Sequence, residues 1–351
     1  MPRRTFTRRT LLVSSVWLFS SCRRAGAKPQ VLRALVEQVV VPNTAAVAEE
    51  SRRLEREIAR LVAEPTAATL RGAREQWQRA LLSWKRADVF RGGPIMDTSC
   101  LLRAMFWPVR TGAIEALVQG SEAIDEASVD AMGVDRRGLF ALEYLLYPEQ
   151  TDPQILAGFT GLPGERRARL ARCLSGNVSL CAERVARSLG NGKKYADQFA
   201  EGGQDSLSHL TGQLISTVEN LSANRLARIS QLAKSGRLKT GDLEGSRGRM
   251  SQQIALTYLQ ATERLYLGVD CGLSQLVKDS SATVDAGIRA AFRQAIVAVS
   301  NLAAPLEEVA TQNAAFFDAA AGAVKKLERS LKTELASTLG VTLTFSAVDG
   351  D

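Results

Sequence analysis

Glu143 and Glu263 are the two ionisable residues whose surroundings echo one another. Phe140-Ala141-Leu142-Glu143-Tyr144-Leu145-Leu146-Tyr147 can be laid on Gln260-Ala261-Thr262-Glu263-Arg264-Leu265-Tyr266-Leu267, with a Glu at one point and aliphatic residues around it. A duplicated helical pair would leave such an echo. Together with Asp88, these carboxylates supply oxygen ligands of the kind that suit Mg, Ca or Mn. Asp349 and Asp351 add two acids beside the C-terminus. Chemistry that needs imidazole has little to draw on, because His209 is the single histidine. A zinc hydrolase needs about three protein ligands and an open water position, and a Ser/His/Asp triad needs its base in context. His209 is left with a polar or helix-start role. Cys100, Cys173, Cys181 and Cys271 show no zinc-ligand spacing, and buried thiols are the expected state. Cys173 and Cys181 lie on one helical stretch about 12 Å apart along its axis, too far to bridge.

The charge of the chain has a local origin. The 351 residues carry 45 Lys+Arg against 37 Asp+Glu, a formal net charge of +8. Seven of the basic residues, Arg3, Arg4, Arg8, Arg9, Arg23, Arg24 and Lys28, fall in the first 28 positions, where no acid occurs. The rest is close to neutral, which excludes a nucleic-acid reading. Two Arg pairs precede an apolar stretch from Leu11 to Phe19 that is too short to span a bilayer. Thr7-Arg8-Arg9-Thr10-Leu11-Leu12 is similar to a twin-arginine export signal, with a Sec signal as the other possibility. Residues 1–27 are therefore expected to direct export. Leu18-Phe19-Ser20-Ser21-Cys22 resembles a lipobox in which Cys22 would be acylated, whereas Ala25-Gly26-Ala27 fits cleavage to a soluble periplasmic product.

Helical periodicity must position these residues. Val31 to Val41, Thr44 to Val62 and Thr66 to Phe90 place apolar residues at three- and four-residue steps. The same pattern runs over Arg136 to Tyr147, Gly164 to Leu189, Ser206 to Lys234, Gly245 to Leu267, Thr283 to Ala303 and Ala315 to Leu339. Only Val341 to Phe345 reads as extended. Long runs with short connections predict an all-α protein of two antiparallel helix-bundle halves, about 30–190 and 205–340, with a tail at 341–351. The Gly190-Asn191-Gly192 break and the polar loop around Gly236 to Gly248 are the candidate boundaries.

Gly138-Leu139-Phe140-Ala141-Leu142-Glu143 resembles the Gly-x-His-x-x-Glu signature of the imelysin family, also classed as M75 peptidases. Three further regions share the resemblance: Trp77 and Trp84 followed by Phe90-Arg91-Gly92-Gly93-Pro94, the Trp107-Pro108 step, and the end from Leu339-Gly340-Val341 to Asp349-Gly350-Asp351. It implies an all-helical exported bacterial protein, often lipid-anchored, with members linked to iron. The motif positions it transfers are Gly138, Phe140 and Glu143, with Asp88, Trp107 and Glu263 in support. Phe140 stands where the motif has His, and Leu81 where an Arg is expected between the two tryptophans. In the motif, His and Glu at i and i+3 share one helix face and converge on one metal or proton. Phe140 has no lone pair and buries apolar surface instead.

Three functions follow as expectations. One is a non-enzymatic binding or accessory component of the cell envelope, connected with iron or haem uptake and its proteins. Another is a hydrolase with an all-carboxylate centre from Glu143, Glu263 and Asp88, holding iron or another divalent metal. The third is a scaffold for a membrane partner, marked by exposed apolar patches.

Overall fold

The computed structural model describes residues 27–239, 241–302 and 305–342. The basic N-terminal segment, Cys22, Asp349 and Asp351 lie outside them. So does most of the expected extended tail, of which Val341 and Thr342 carry no regular structure. Among the described residues the chain is helical and has no strand.

The first helix, α1, runs from Ala27 to Ala63 and continues past Pro42, where periodicity alone allowed a break. Its Val36–Val40 stretch is a π-turn, and Pro42 falls in the first turn of the α-helical stretch after it. There the missing N–H and fixed φ of proline are tolerated. α2, Ala67–Asp88, opens on a reciprocal cap: Thr66 Oγ1 accepts from the Thr69 N–H at 3.2 Å, and Thr69 Oγ1 accepts from the Thr66 N–H at 3.0 Å. Two orphan donors of the first turn are thereby satisfied. Its Leu70, Ala73, Trp77, Ala80, Leu81 and Trp84 form a buried stripe. α3, Cys100–Met105, and α4, Gly138–Leu146, are short. α5, Gly161–Ser188, packs along α1 and against α4.

The second half contains α6, Gly192–Glu201, and α7, which runs from Gly203 through a π-stretch at Asn220–Ala227 to Lys234. It continues with α8, Ser251–Leu267, α9, Leu273–Ser280, α10, Ala282–Ser300, and α11, Leu306–Gln312. The last long helix, α12, starts at Ala314 and ends at Thr338. α8 begins six residues later than the period suggested. Gly241, Gly245 and Arg249 have φ of 92°, 72° and 56°, so residues 241–250 form turns that no right-handed helix accommodates. That loop becomes part of the site.

The halves share one continuous apolar core. The start of α1, at Ala27–Leu35, packs on α6, α7 and α9, while its later part packs on α2 and α5. α2 also meets α8 directly. By length and apolarity α1 would suffice to cross a membrane, as a signal sequence or a core helix would; here half of its most apolar stretch is buried in the bundle. Cys100 and Cys181 are buried thiols hydrogen-bonded to each other between α3 and α5, and Cys173 is a half-buried free thiol.

Candidate functional site at the junction of the two halves

Gly138 starts α4 in a conformation that only glycine adopts without strain. Its φ is 79°, and a Cβ there would meet the Ala104 carbonyl oxygen at 2.5 Å. α3 and α4 therefore pack backbone to backbone. Trp77 secures the same turn, donating its indole N–H to the Leu139 carbonyl at 2.8 Å. Trp84 donates to Ser51 Oγ at 2.9 Å, so both tryptophans of α2 are core anchors that use their polar edge.

α4 then delivers Phe140 and Glu143 to the junction, each buried. Glu143 Oε1 accepts the Gly248 N–H at 2.9 Å. Gly248 reaches this place because it lacks a side chain: a Cβ would lie 2.6 Å from Trp77 Cζ3. Burial pushes the Glu143 carboxyl up to about 7, opposed by the Gly248 N–H and the Arg247 guanidinium. With Trp107 and Ser246, Glu143 lines a recess of about 220 Å³.

Phe140 faces a cation. The Lys85 ammonium sits 5.2 Å from its ring centroid, within range of a cation–π contact. Lys85 is itself buried and pairs with Glu244 Oε2 at 3.1 Å; Arg225 reaches the same oxygen at 2.7 Å. One turn beyond Lys85, Asp88 takes a forked pair of 2.8 Å bonds from Arg91 and a third of 2.8 Å from the Tyr258 hydroxyl. The Arg225 guanidinium lies 4.8 Å from the Tyr258 ring centroid. α2, the π-stretch of α7, the 241–250 loop and α8 thus close on one buried ionic cluster. Burial pushes the Asp88 carboxyl up, but Arg91, Lys85 and the Tyr258 hydroxyl outweigh it and hold it below the usual range. Burial likewise opposes ionisation of Glu244, and Arg225 with Lys85 reverses the sign. Lys85 is pushed down by burial and only partly held up by Glu244.

The residues singled out from sequence separate into groups. Gly138, Phe140, Glu143 and Trp107 belong to the junction, and Asp88 belongs to the ionic cluster. Glu263, also on α8, has Arg293 and Arg289 as its charged neighbours, with burial pushing its carboxyl up. His209 packs edge-on against Phe90 at 6.2 Å. Among the described residues, no three of His, Cys, Asp and Glu converge as a metal site. The donor set around Glu143 also fits iron or zinc poorly: one of its two oxygens accepts the Gly248 N–H, and Lys85 and Arg247 bring positive charge to the motif positions. Lys85, Arg225, Glu244, Tyr258 and Gly248 were not singled out. Only Lys85 left a signal, as a charged residue eight positions after Trp77 and four after Leu81 on the buried stripe.

The comparisons with known proteins agree with this architecture. The family model described as imelysin, Peptidase_M75, matches residues 40–333. The chain belongs to the imelysin family. An imelysin-like protein from Psychrobacter arcticum 273-4 superposes with a TM-score of 0.77 at 19% identity, covering 92% of this chain and 99% of its own. A structure described as "putative iron-regulated protein A precursor", from Parabacteroides distasonis ATCC 8503, gives a TM-score of 0.74 at 12% identity, covering 91% and 97%. At these identities the two likenesses show the imelysin fold. No curated protein matches the sequence.

Proposed function

We propose that this imelysin-family chain is an exported component of the bacterial cell envelope that binds a ligand at the junction of its halves and does not hydrolyse peptides. The observation that carries the reading is the pairing of Phe140 with Lys85 at 5.2 Å. Where the family motif offers an imidazole, this chain presents a ring with an ammonium on its face, a surrounding that repels a metal cation. Glu143, its carboxyl pushed up to about 7, lacks a second ligand of the motif kind. Export and a lipid anchor at Cys22 are supported by the Arg pairs and the apolar run of the N-terminal segment. A connection with iron is supported by family membership and by the printed description of the Parabacteroides structure. In this reading the connection runs through a partner protein or iron-dependent expression, not through iron held by Glu143.

The test is cleavage of an unfolded protein substrate by the purified chain, with and without added zinc, cobalt or manganese. No cleavage above a no-protein control is expected. Cleavage that chelation abolishes and metal restores, and that Glu143→Gln removes, would overturn the reading.

A further inference from the structure

We infer that the recess beside the ionic cluster binds an anionic amphiphile, a carboxylate carrying a short apolar chain. The inference deepens the proposed binding role and rests on it.

The recess measures about 280 Å³ and has two chemically distinct walls. One wall is the cluster itself, with Lys85, Arg91 and Arg225 against Asp88 and Glu244. Three basic side chains stand with two carboxylates on this wall, so basic groups outnumber acids there. Arg91, paired with Asp88 yet 53% exposed, is the guanidinium that an anion entering from solvent would meet. Arg225 lines the recess while paired with Glu244 Oε2 at 2.7 Å, and its side chain keeps 26% exposure. A carboxylate supplies the acceptor that a guanidinium fork is shaped for.

The opposite wall is apolar and comes from residues 96–106. Met96 and Leu102 line the recess together with Phe106, yet are 50% and 56% exposed. They are two of the few large apolar side chains that the described chain leaves in water. An alkyl chain lying on them would recover roughly 25 cal/mol for each Å² it covers. A bare inorganic anion would leave that wall wet, and a neutral lipid would leave the basic groups unanswered. The recess is roomy enough for a carboxylate with a short chain.

Octanoate is the probe, titrated calorimetrically into the full chain. Acetate, octanol and octylammonium each remove one feature of the ligand. Saturable one-to-one binding of octanoate is expected, at least about tenfold tighter than either acetate or octanol, with none for octylammonium. Added salt should weaken it, since the head is held by charge. Leu102→Glu changes an exposed side chain and should leave folding intact while weakening octanoate at least about tenfold; Arg91→Gln should weaken it several-fold. Absence of octanoate binding, equal affinity for octanol, or indifference to Leu102→Glu overturns the proposal. Failure here together with inert behaviour in the cleavage assay removes the ligand class alone. Cleavage that depends on Glu143 removes the broader reading, whatever octanoate does.

Discussion

Position 140, where the motif has His, is best understood together with the buried Lys85 beside it. A phenylalanine there buries its ring, and Lys85 lays an ammonium on that ring instead of on solvent. Glu143, three residues on, keeps its carboxyl but loses the company that would make it a ligand. Its titration gives a direct prediction. The carboxyl is raised from the ordinary value of 4.5 to about 7 in the folded chain, so the folded state holds its proton more tightly than the unfolded one. Stability from this group is present below about pH 4.5, declines as pH rises to about 7, and stays lost above. Glu143→Gln carries no such penalty. Relative to the wild type, the variant should gain roughly 3 kcal/mol between about pH 4 and about pH 8 in denaturant titrations; a difference independent of pH would refute the raised carboxyl. Glu143 and Gly138 were legible in the sequence because their spacing survives divergence. Glu244, Arg225 and Gly248 were not, because a polar loop and a π-turn carry no periodicity, and only chain closure brings them to α2.

At the scale of elements, α4 is held by two close approaches that depend on missing side chains. Gly138→Ala combines a positive φ with a contact on backbone oxygen at 2.5 Å, and neither can relax by moving a flexible side chain. A loss of about 2–4 kcal/mol is expected in chemical unfolding. Gly212→Ala, in a helix and with nothing within 4 Å of the added carbon, should instead be neutral or stabilise by up to about 1 kcal/mol. Equal effects at the two positions would mean that the approach of α3 to α4 is looser than described. The long helices were readable from their apolar steps, with Thr66 marking one start, whereas Pro42 lies within α1 and ends nothing. Residues 245–250 were mistaken for the head of α8, since Met250 keeps apolar spacing with Ile254 while the left-handed Gly245 and Arg249 break the helix before it. Short helices such as α3 and α11 span too few turns to show a period.

Over the whole molecule, the two halves share one apolar core and should unfold as one cooperative body. α1 packs in both, and the ionic cluster draws Lys85 and Asp88 from one half and Arg225, Glu244 and Tyr258 from the other. The described tryptophans, Trp77, Trp84 and Trp107, all belong to the first half, so their fluorescence reports that half while far-ultraviolet circular dichroism reports both. The two denaturant transitions should coincide; a separate later or earlier circular dichroism phase would show halves that unfold independently. The all-α class and the imelysin resemblance were visible along the chain, because helix periodicity and the Trp and Gly landmarks are local. The identity of the site was not, because it depends on which charges meet across the junction. The central claim is that this junction has exchanged metal-ligating chemistry for a cationic binding cluster. Calorimetric titration of the metal-free chain with ferrous iron and with zinc tests it most directly. The account predicts no stoichiometric site for either ion, in the wild type as in Glu143→Gln. One tightly bound ion per chain, lost on Glu143→Gln, would contradict it.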